Sequence, residues 1–247
     1  MTEIKICGIT RIEDALCASE CGADAVGFIF HPPSPRYITA EKTKAIITEL
    51  PEGIVTVGVF VNREAQEVAR TANDCGLDLI QFHGDESPEY CRWFPAERII
   101  KAVSLRTPGD LRTLTAYRVR AFLVDTRDSG RYGGTGKRAD WELAAELGKA
   151  HPLILAGGLD ADNIAEALAA VAPGAVDINS GCESAPGIKD HSRLRQLVGM
   201  IQGMTRRIIH AGGAPGPNVI FDNFGKSKFS PPPAGIRGGG GNFGKEK

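Results

Sequence analysis

No stretch of the 247 residues comes near the roughly 20-residue apolar run that a membrane span needs, so no membrane partner is expected. Neither sign of charge is in excess. The 29 Lys and Arg stand against 30 Asp and Glu, which removes nucleic acid as an expected partner of the body of the chain. The six cysteines, at 7, 17, 21, 75, 91 and 182, contain no Cys-x-x-Cys pair, and a chain of this length needs no disulfide framework. Cys17 and Cys21 lie one helical turn apart but lack further ligands at metal spacing, so they read as small packing residues and no metal is expected. Met1-Thr2-Glu3-Ile4-Lys5 runs straight into a strand-like segment without a signal-peptide core, and a cytoplasmic location is expected. Missing too is a Gly-x-Gly-x-x-Gly turn after that first segment. Cys7-Gly8-Ile9-Thr10 stands there instead, which argues against a dinucleotide-binding open sheet.

What is present is alternation. Strand-like runs at 4–7, 25–30, 55–61, 77–82, 98–103, 121–124, 152–155 and 175–178 are each followed by a helix-like stretch. Thr10-x-x-Glu13 reads as a capping box for the first helix, and Ser87-Pro88 as the cap and first residue of the fourth. Parallel strands with crossover helices follow from this pattern, and eight is the number that closes a (βα)8 TIM barrel. The expected body is therefore a single α/β domain over residues 1–205.

From about Arg206 the composition breaks. Gly and Pro fill 15 of the 42 positions 206–247, and seven basic residues face two acidic ones, which is +5 against −6 for the body. Pro231-Pro232-Pro233 and Gly238–Gly241 suit neither helix nor strand interior, so the segment reads as a disordered Gly/Pro-rich basic tail. A chain ending near Thr205 is expected to keep its fold and activity. Arg237-Gly238-Gly239 resembles a single RNA-binding unit, set against a passive tail.

In such a barrel the chemistry sits at the C-terminal ends of the strands. Here those ends are polar: Cys7, His31, Asn62, Gln81 with His83, Lys101 with Ser104, Asp125, Gly157-Gly158, and Asn179-Ser180-Gly181. The glycines after strands seven and eight suit a phosphate, because backbone N–H groups can approach its oxygens, with a short helix from Gly181 adding its positive end.

Several blocks carry a resemblance. Lys5-Ile6-Cys7-Gly8-Ile9-Thr10, Gly27-Phe28-Ile29-Phe30, Ser34-Pro35-Arg36-Tyr37-Ile38, Gln81-Phe82-His83-Gly84 and Val124-Asp125 resemble phosphoribosylanthranilate isomerase. So do Gly133-Gly134-Thr135-Gly136, Ala156-Gly157-Gly158-Leu159 and Val176-Asp177-Ile178-Asn179-Ser180-Gly181. The match runs in order over about residues 3–203, departing only at Phe82, where Leu is usual, and Cys182, where Val is common. The tail has no counterpart in that pattern.

The resemblance implies an Amadori rearrangement of N-(5-phosphoribosyl)anthranilate in tryptophan biosynthesis, without metal or cofactor. It implies Cys7 as general base, Asp125 as general acid, and Arg36 as the grip on the anthranilate carboxylate. Gly157, Gly158, Asn179, Ser180 and Gly181 would surround the phosphate of this small phosphorylated substrate, in a monomer or homodimer. Cys7 needs a lowered thiol pKa for its task. His83 reads equally as a substrate contact or a loop brace, and Arg127–Ala139, with four glycines, as a lid or a plain surface loop. Two rivals are weighed. The related sugar isomerase of histidine biosynthesis carries Asp where Cys7 stands, and a non-catalytic scaffold has no use for Cys7, Asp125 and Arg36 together.

Strand parity adds one expectation. If Cys7 points into the barrel, so does Lys5; in strand eight Asp177 points inward with Asn179. Closure makes these strands neighbours, so Lys5 and Asp177 are expected to pair beneath Cys7.

Overall fold

In a computed structural model, residues 1–125, 141–210, 219–221 and 228–238 are described, with side chains of the last helix described through Met204. Eight parallel strands close into a barrel in sequence order. They are β1 (Glu3–Ile6), β2 (Ala25–Ile29), β3 (Val55–Phe60), β4 (Leu79–Phe82), β5 (Ile99–Val103), β6 (Ala121–Val124), β7 (Leu153–Leu155) and β8 (Ala175–Ile178). Helices α1 (Ile12–Glu20), α2 (Ala40–Glu49), α3 (Ala65–Cys75), α4 (Pro88–Cys91), α5 (Pro108–Leu114), α6 (Trp141–Gly148), α7 (Ile164–Val171) and α8 (His191–His210) surround it. A short hairpin, β9 (Glu183–Ala185) with β10 (Ile188–Lys189), precedes α8 and has no forecast in the alternation.

Period two along each strand sorts the apolar residues into two bodies. Val57, Leu79, Ile100, Ala102, Leu123, Ile154 and Ala175 fill the barrel interior. Their alternates Val26, Phe28, Ile80, Phe82, Phe122, Leu155 and Val176 belong to the larger shell packed under the helices. Closure sets Lys5 opposite Asp177 in the β1–β8 register, and their side chains meet at 2.8 Å, as parity and closure require. The pair is almost wholly buried, so each charge persists there only because the other does.

Two local expectations change. Ser87 does cap α4, accepting from the Tyr90 N–H with Pro88 following. Thr10 caps nothing. The N-cap of α1 is Arg11, without a side-chain cap bond, and the Thr10 hydroxyl donates instead to the carbonyl of Gly187 beside the unforeseen hairpin. A tertiary acceptor outcompetes the local one.

The segment after Arg206 is described in part. Helix α8 runs to His210, past the expected boundary, and two described stretches beyond it lie against the barrel. Ile220 and Phe221 join the interior cluster at its lower end. Their amides donate to the Glu3 carboxylate, and Arg120 Nε donates to the Ile220 carbonyl at 2.6 Å. Residues 228–238 then run antiparallel to α3. Phe229 exchanges two bonds with Asn73 near the helix end and lies under the Arg98 guanidinium, 3.6 Å from the ring centre. The carbonyl of Ile236 accepts from Ala65 N–H at the helix start, and Gly238 N–H donates to Arg63. Within the segment whose composition reads as disordered, these two stretches thus set apolar residues on apolar surface of the body. Among the described residues no helix is long and apolar enough to cross a membrane.

Candidate active site

Cys7 directly follows β1 and Asp125 directly follows β6. Both keep the strand pattern, Cys7 N–H donating to Ile178 at 2.8 Å and Asp125 N–H to Val103 at 3.1 Å. Parity with Lys5 and with Leu123 turns both side chains toward the barrel axis at the C-terminal rim. Gly27, on β2 beside Cys7, has no room for a side chain, because a Cβ would lie 2.8 Å from the Cys7 sulfur.

The Cys7 thiol departs from expectation. Burial pushes its pKa up, the Asp177 carboxylate pushes the same way, and the Lys5 and Lys189 ammonium groups only partly offset them. Lys5 itself is held above its ordinary value: burial works against its charge, but Asp177, Cys7 and their hydrogen bonds prevail.

Arg36 comes from the Pro-rich loop after β2. Its side chain presses on Gly8, where a Cβ would meet Arg36 Cδ at 2.8 Å and Asn179 Oδ1 at 2.6 Å; Gly8 also has φ +73°. Cys7, Arg36 and Asn179 therefore converge on one glycine. The Arg36 guanidinium forms a forked ion pair with Glu183, with Nη2–Oε2 at 2.7 Å and Nε–Oε1 at 2.9 Å. Glu183 also accepts from Lys189 Nζ at 2.9 Å, and that ammonium donates to the Asn179 carbonyl and Oδ1. Burial works to raise the Glu183 pKa, but the Arg36 bond and the Lys189 charge outweigh it and hold the carboxyl below its ordinary value. Neither Glu183 nor Lys189 stood out in the sequence. Their only signal was a charged pair six residues apart after the glycine turn.

His83 lies on the carboxylate assigned as acid: its Nε2 is 3.3 Å from Asp125 Oδ2, and Gln81 Nε2 is 2.9 Å from its Nδ1. With the amide oriented so, Nδ1 accepts and Nε2–H faces Asp125. The other Asp125 oxygen, Oδ1, is buried without a hydrogen-bond partner among the described residues.

The turns after β7 and β8 meet. Gly157 and Gly158 have φ of +95° and +68°, and Gly181 packs so closely that a Cβ would lie 2.0 Å from the Leu159 carbonyl oxygen. Ser180–Cys182 forms one turn of 3-10 helix. The turn after β8 thus packs directly on the turn after β7, and glycine turns gathered in this way suit phosphate oxygens, because backbone N–H groups can approach them.

Not every polar strand end joins the site. Lys101 falls out of phase with inward Ile100 and Ala102, and its ammonium is buried on the helix side, on Glu86 at 3.1 Å and on the carbonyls of Gly84 and Ala102. Glu86 also accepts from Asn62 and Gly84 N–H, so this unforeseen pair braces the loops on either side of His83. The Arg127–Ala139 loop lies outside the described residues. Among the described residues, no group of three or more His, Cys, Asp or Glu is arranged to hold a metal ion.

Fold and site together define a class: a (βα)8-barrel with a thiol and a carboxylate on its C-terminal rim and paired glycine turns after β7 and β8. Comparison with known proteins narrows it. Residues 4–200 match the model of the N-(5'-phosphoribosyl)anthranilate (PRA) isomerase family, and the chain belongs to that family. The enzyme of that name from Syntrophus aciditrophicus is 52% identical over 202 residues, covering 82% of this chain and 88% of the relative. The crystal structure of phosphoribosyl anthranilate isomerase from Thermotoga maritima superposes with a TM-score of 0.76 at 42% identity, covering 82% of this chain and all of that one. Another, solved with reduced 1-(o-carboxyphenylamino)-1-deoxyribulose 5-phosphate, gives 0.72 at 40% identity with the same coverage.

Proposed function

We propose that this chain converts N-(5-phosphoribosyl)anthranilate to 1-(2-carboxyphenylamino)-1-deoxyribulose 5-phosphate, an isomerisation in tryptophan biosynthesis, with Asp125 as acid and Cys7 as base. The observation that carries this reading is the convergence at Gly8, which sets Cys7, Arg36 and Asn179 around one point on the rim that also bears Asp125. The substrate spans that rim. Its phosphate lies on the turns of Gly157-Gly158 and Ser180-Gly181 beside Asn179, and its carboxylate lies on Arg36.

Asp125 gives a proton to the ring oxygen of the ribose. The ring C–O bond breaks, and the nitrogen lone pair forms an iminium. Cys7 then removes the proton from the adjacent carbon, and the electron pair left behind moves toward nitrogen to give an enamine. That enol-amine tautomerises to the ketone. Burial raises the Cys7 thiol pKa, so its own proton must pass to solvent before it can act; once the ring opens, the cation beside it favours that loss and leaves the thiolate as the base. His83, with its Nε2 proton toward Asp125, serves as a brace on the acid. A cytoplasmic setting suits such a step.

Complementation tests the reading. The wild-type chain should restore growth to a tryptophan auxotroph lacking this isomerase, and Cys7→Ala should not. Failure of the wild type, expressed and folded, would reject the activity.

A further inference from the structure

Arginine has five N–H donors, and the way Arg36 divides them has a consequence. Glu183 occupies one edge of the guanidinium, taking Nε–H and one Nη2–H through both of its oxygens. Among the described residues Nη1 has no hydrogen-bond partner, so the outer edge made by Nη1 and Nη2 keeps unused donors on a side chain that is 11% exposed. That edge also offers two parallel N–H groups, the geometry a second carboxylate accepts. Two carboxylates on one arginine would normally repel. Here Lys189, buried and 2.9 Å from Glu183, supplies the balancing charge, and the Gly187 N–H gives Glu183 another bond at 3.2 Å. The same ammonium holds Asn179 by its carbonyl and side chain, so the network joins the arginine to the turn after β8.

We infer that Glu183 is a positioning residue for substrate recognition: it clamps the inner edge of Arg36 so that the outer edge is aimed at the substrate carboxylate, with Lys189 keeping the arrangement charge-balanced. This rests on Arg36 being the carboxylate grip of the proposed function. An arginine left to sample its rotamers must be ordered at the moment of binding, whereas a clamped one has been ordered by the fold. Glu183 thereby acts on affinity for one part of the substrate and touches none of the reacting atoms.

The test pairs a ligand deletion with a side-chain change. Two ligands are titrated: reduced 1-(o-carboxyphenylamino)-1-deoxyribulose 5-phosphate and its phenylamino counterpart without the carboxylate. Glu183→Gln keeps the shape and an oxygen for Lys189 and Gly187. It should weaken the carboxylate-bearing ligand about tenfold, leave the other within about twofold, and raise KM with kcat little changed. Arg36→Met should show the same selectivity with a larger loss. Selective loss in Arg36→Met but none in Glu183→Gln would overturn the positioning role and leave the Arg36 assignment standing. No selective loss in either would sink the Arg36 assignment itself. Equal weakening of both ligands by Glu183→Gln would mean general damage and reject the inference, as would tighter binding, which would make Glu183 a competitor for the arginine. If Glu183→Gln fails to fold with Lys189 unbalanced, Glu183→Gln with Lys189→Met removes both charges and is read the same way.

Discussion

The two ends of this barrel are built from the same eight strands and solve opposite problems. At the C-terminal rim, polar groups lie under cover of one another, Arg36 with Glu183 and Lys189 and Asp125 with His83, and the Lys5–Asp177 pair lies one layer beneath. At the base the interior is apolar, and Ile220 and Phe221 from the tail close it, tied down by Glu3 and Arg120. The contrast teaches where stability and chemistry are kept apart. Parallel strands end their polar demands at the rim, where loops can carry any residue, while the base has only to exclude water. Changes at the rim should therefore cost turnover, and changes at the base should cost stability.

The largest separation is expected at the reacting pair. Cys7→Ala and Asp125→Asn should each lower turnover by about 10²–10⁴-fold, with thermal unfolding close to wild type. Steady-state rates beside a melting curve decide it, and near-normal turnover in Cys7→Ala would remove that residue from the chemistry.

Lys5→Met probes the layer between the two ends. It strands the buried Asp177 carboxylate, so the fold should lose about 3–5 kcal/mol by denaturant titration. The thiol should respond as well. Lys5 is one of the groups pulling the Cys7 pKa down, so its loss should move the alkylation profile of Cys7 to still higher pH. A profile that stays in place would refute the electrostatic link while leaving the structural one.

The base comes next. A chain ending at His210 loses the burial of Ile220 and Phe221, each worth about 1.5–3 kcal/mol when complete, together with the strap along α3. The expectation is a lower melting temperature with kcat nearly unchanged. A melting temperature equal to that of the full chain would show that the tail adds nothing to the base, as its composition alone suggested.

The smallest effect is a divergence with pH. Glu183 and Asp14 at the rim have pKa values lowered by their partners despite burial; for Asp14 these are Arg11, Lys189 N–H and His191. Their stabilisation is complete above the ordinary carboxylate range and is lost as pH falls through the lowered folded values, so below about pH 4. Glu3 at the base is shifted up, because burial exceeds the help of the Ile220 and Phe221 amides. The sign reverses there: its folded state favours the proton, and stability falls as pH rises from about 4 through the raised value. Amide exchange, corrected for intrinsic rates, should show the 183–189 hairpin losing protection in acid while residues 220–221 keep theirs. Parallel loss at both ends would contradict the assignment.

Much of this was legible in the chain. Eight alternations, the polar strand ends and the Lys5–Asp177 pair follow from period two, the parallel rule and closure, which together dictate who neighbours whom without any loop being known. Loop paths were not legible, and with them went Thr10 reaching Gly187, His83 reaching Asp125, and Arg36 reaching Glu183 across 147 positions of sequence. Lys101 failed for a related reason, since one step of register near a strand end sends a polar residue to the helix side, where Glu86 awaits it. Composition marked 206–247 as unlike the body, yet the apolar residues within it could be placed only once the barrel interior and the face of α3 that they pack on were assembled. Cys7 shows the division most plainly. Its position on the rim is set by local periodicity, whereas its raised thiol pKa comes from desolvation and from Asp177, Lys5 and Lys189, whose balance exists only when strands one and eight and the last hairpin are packed together.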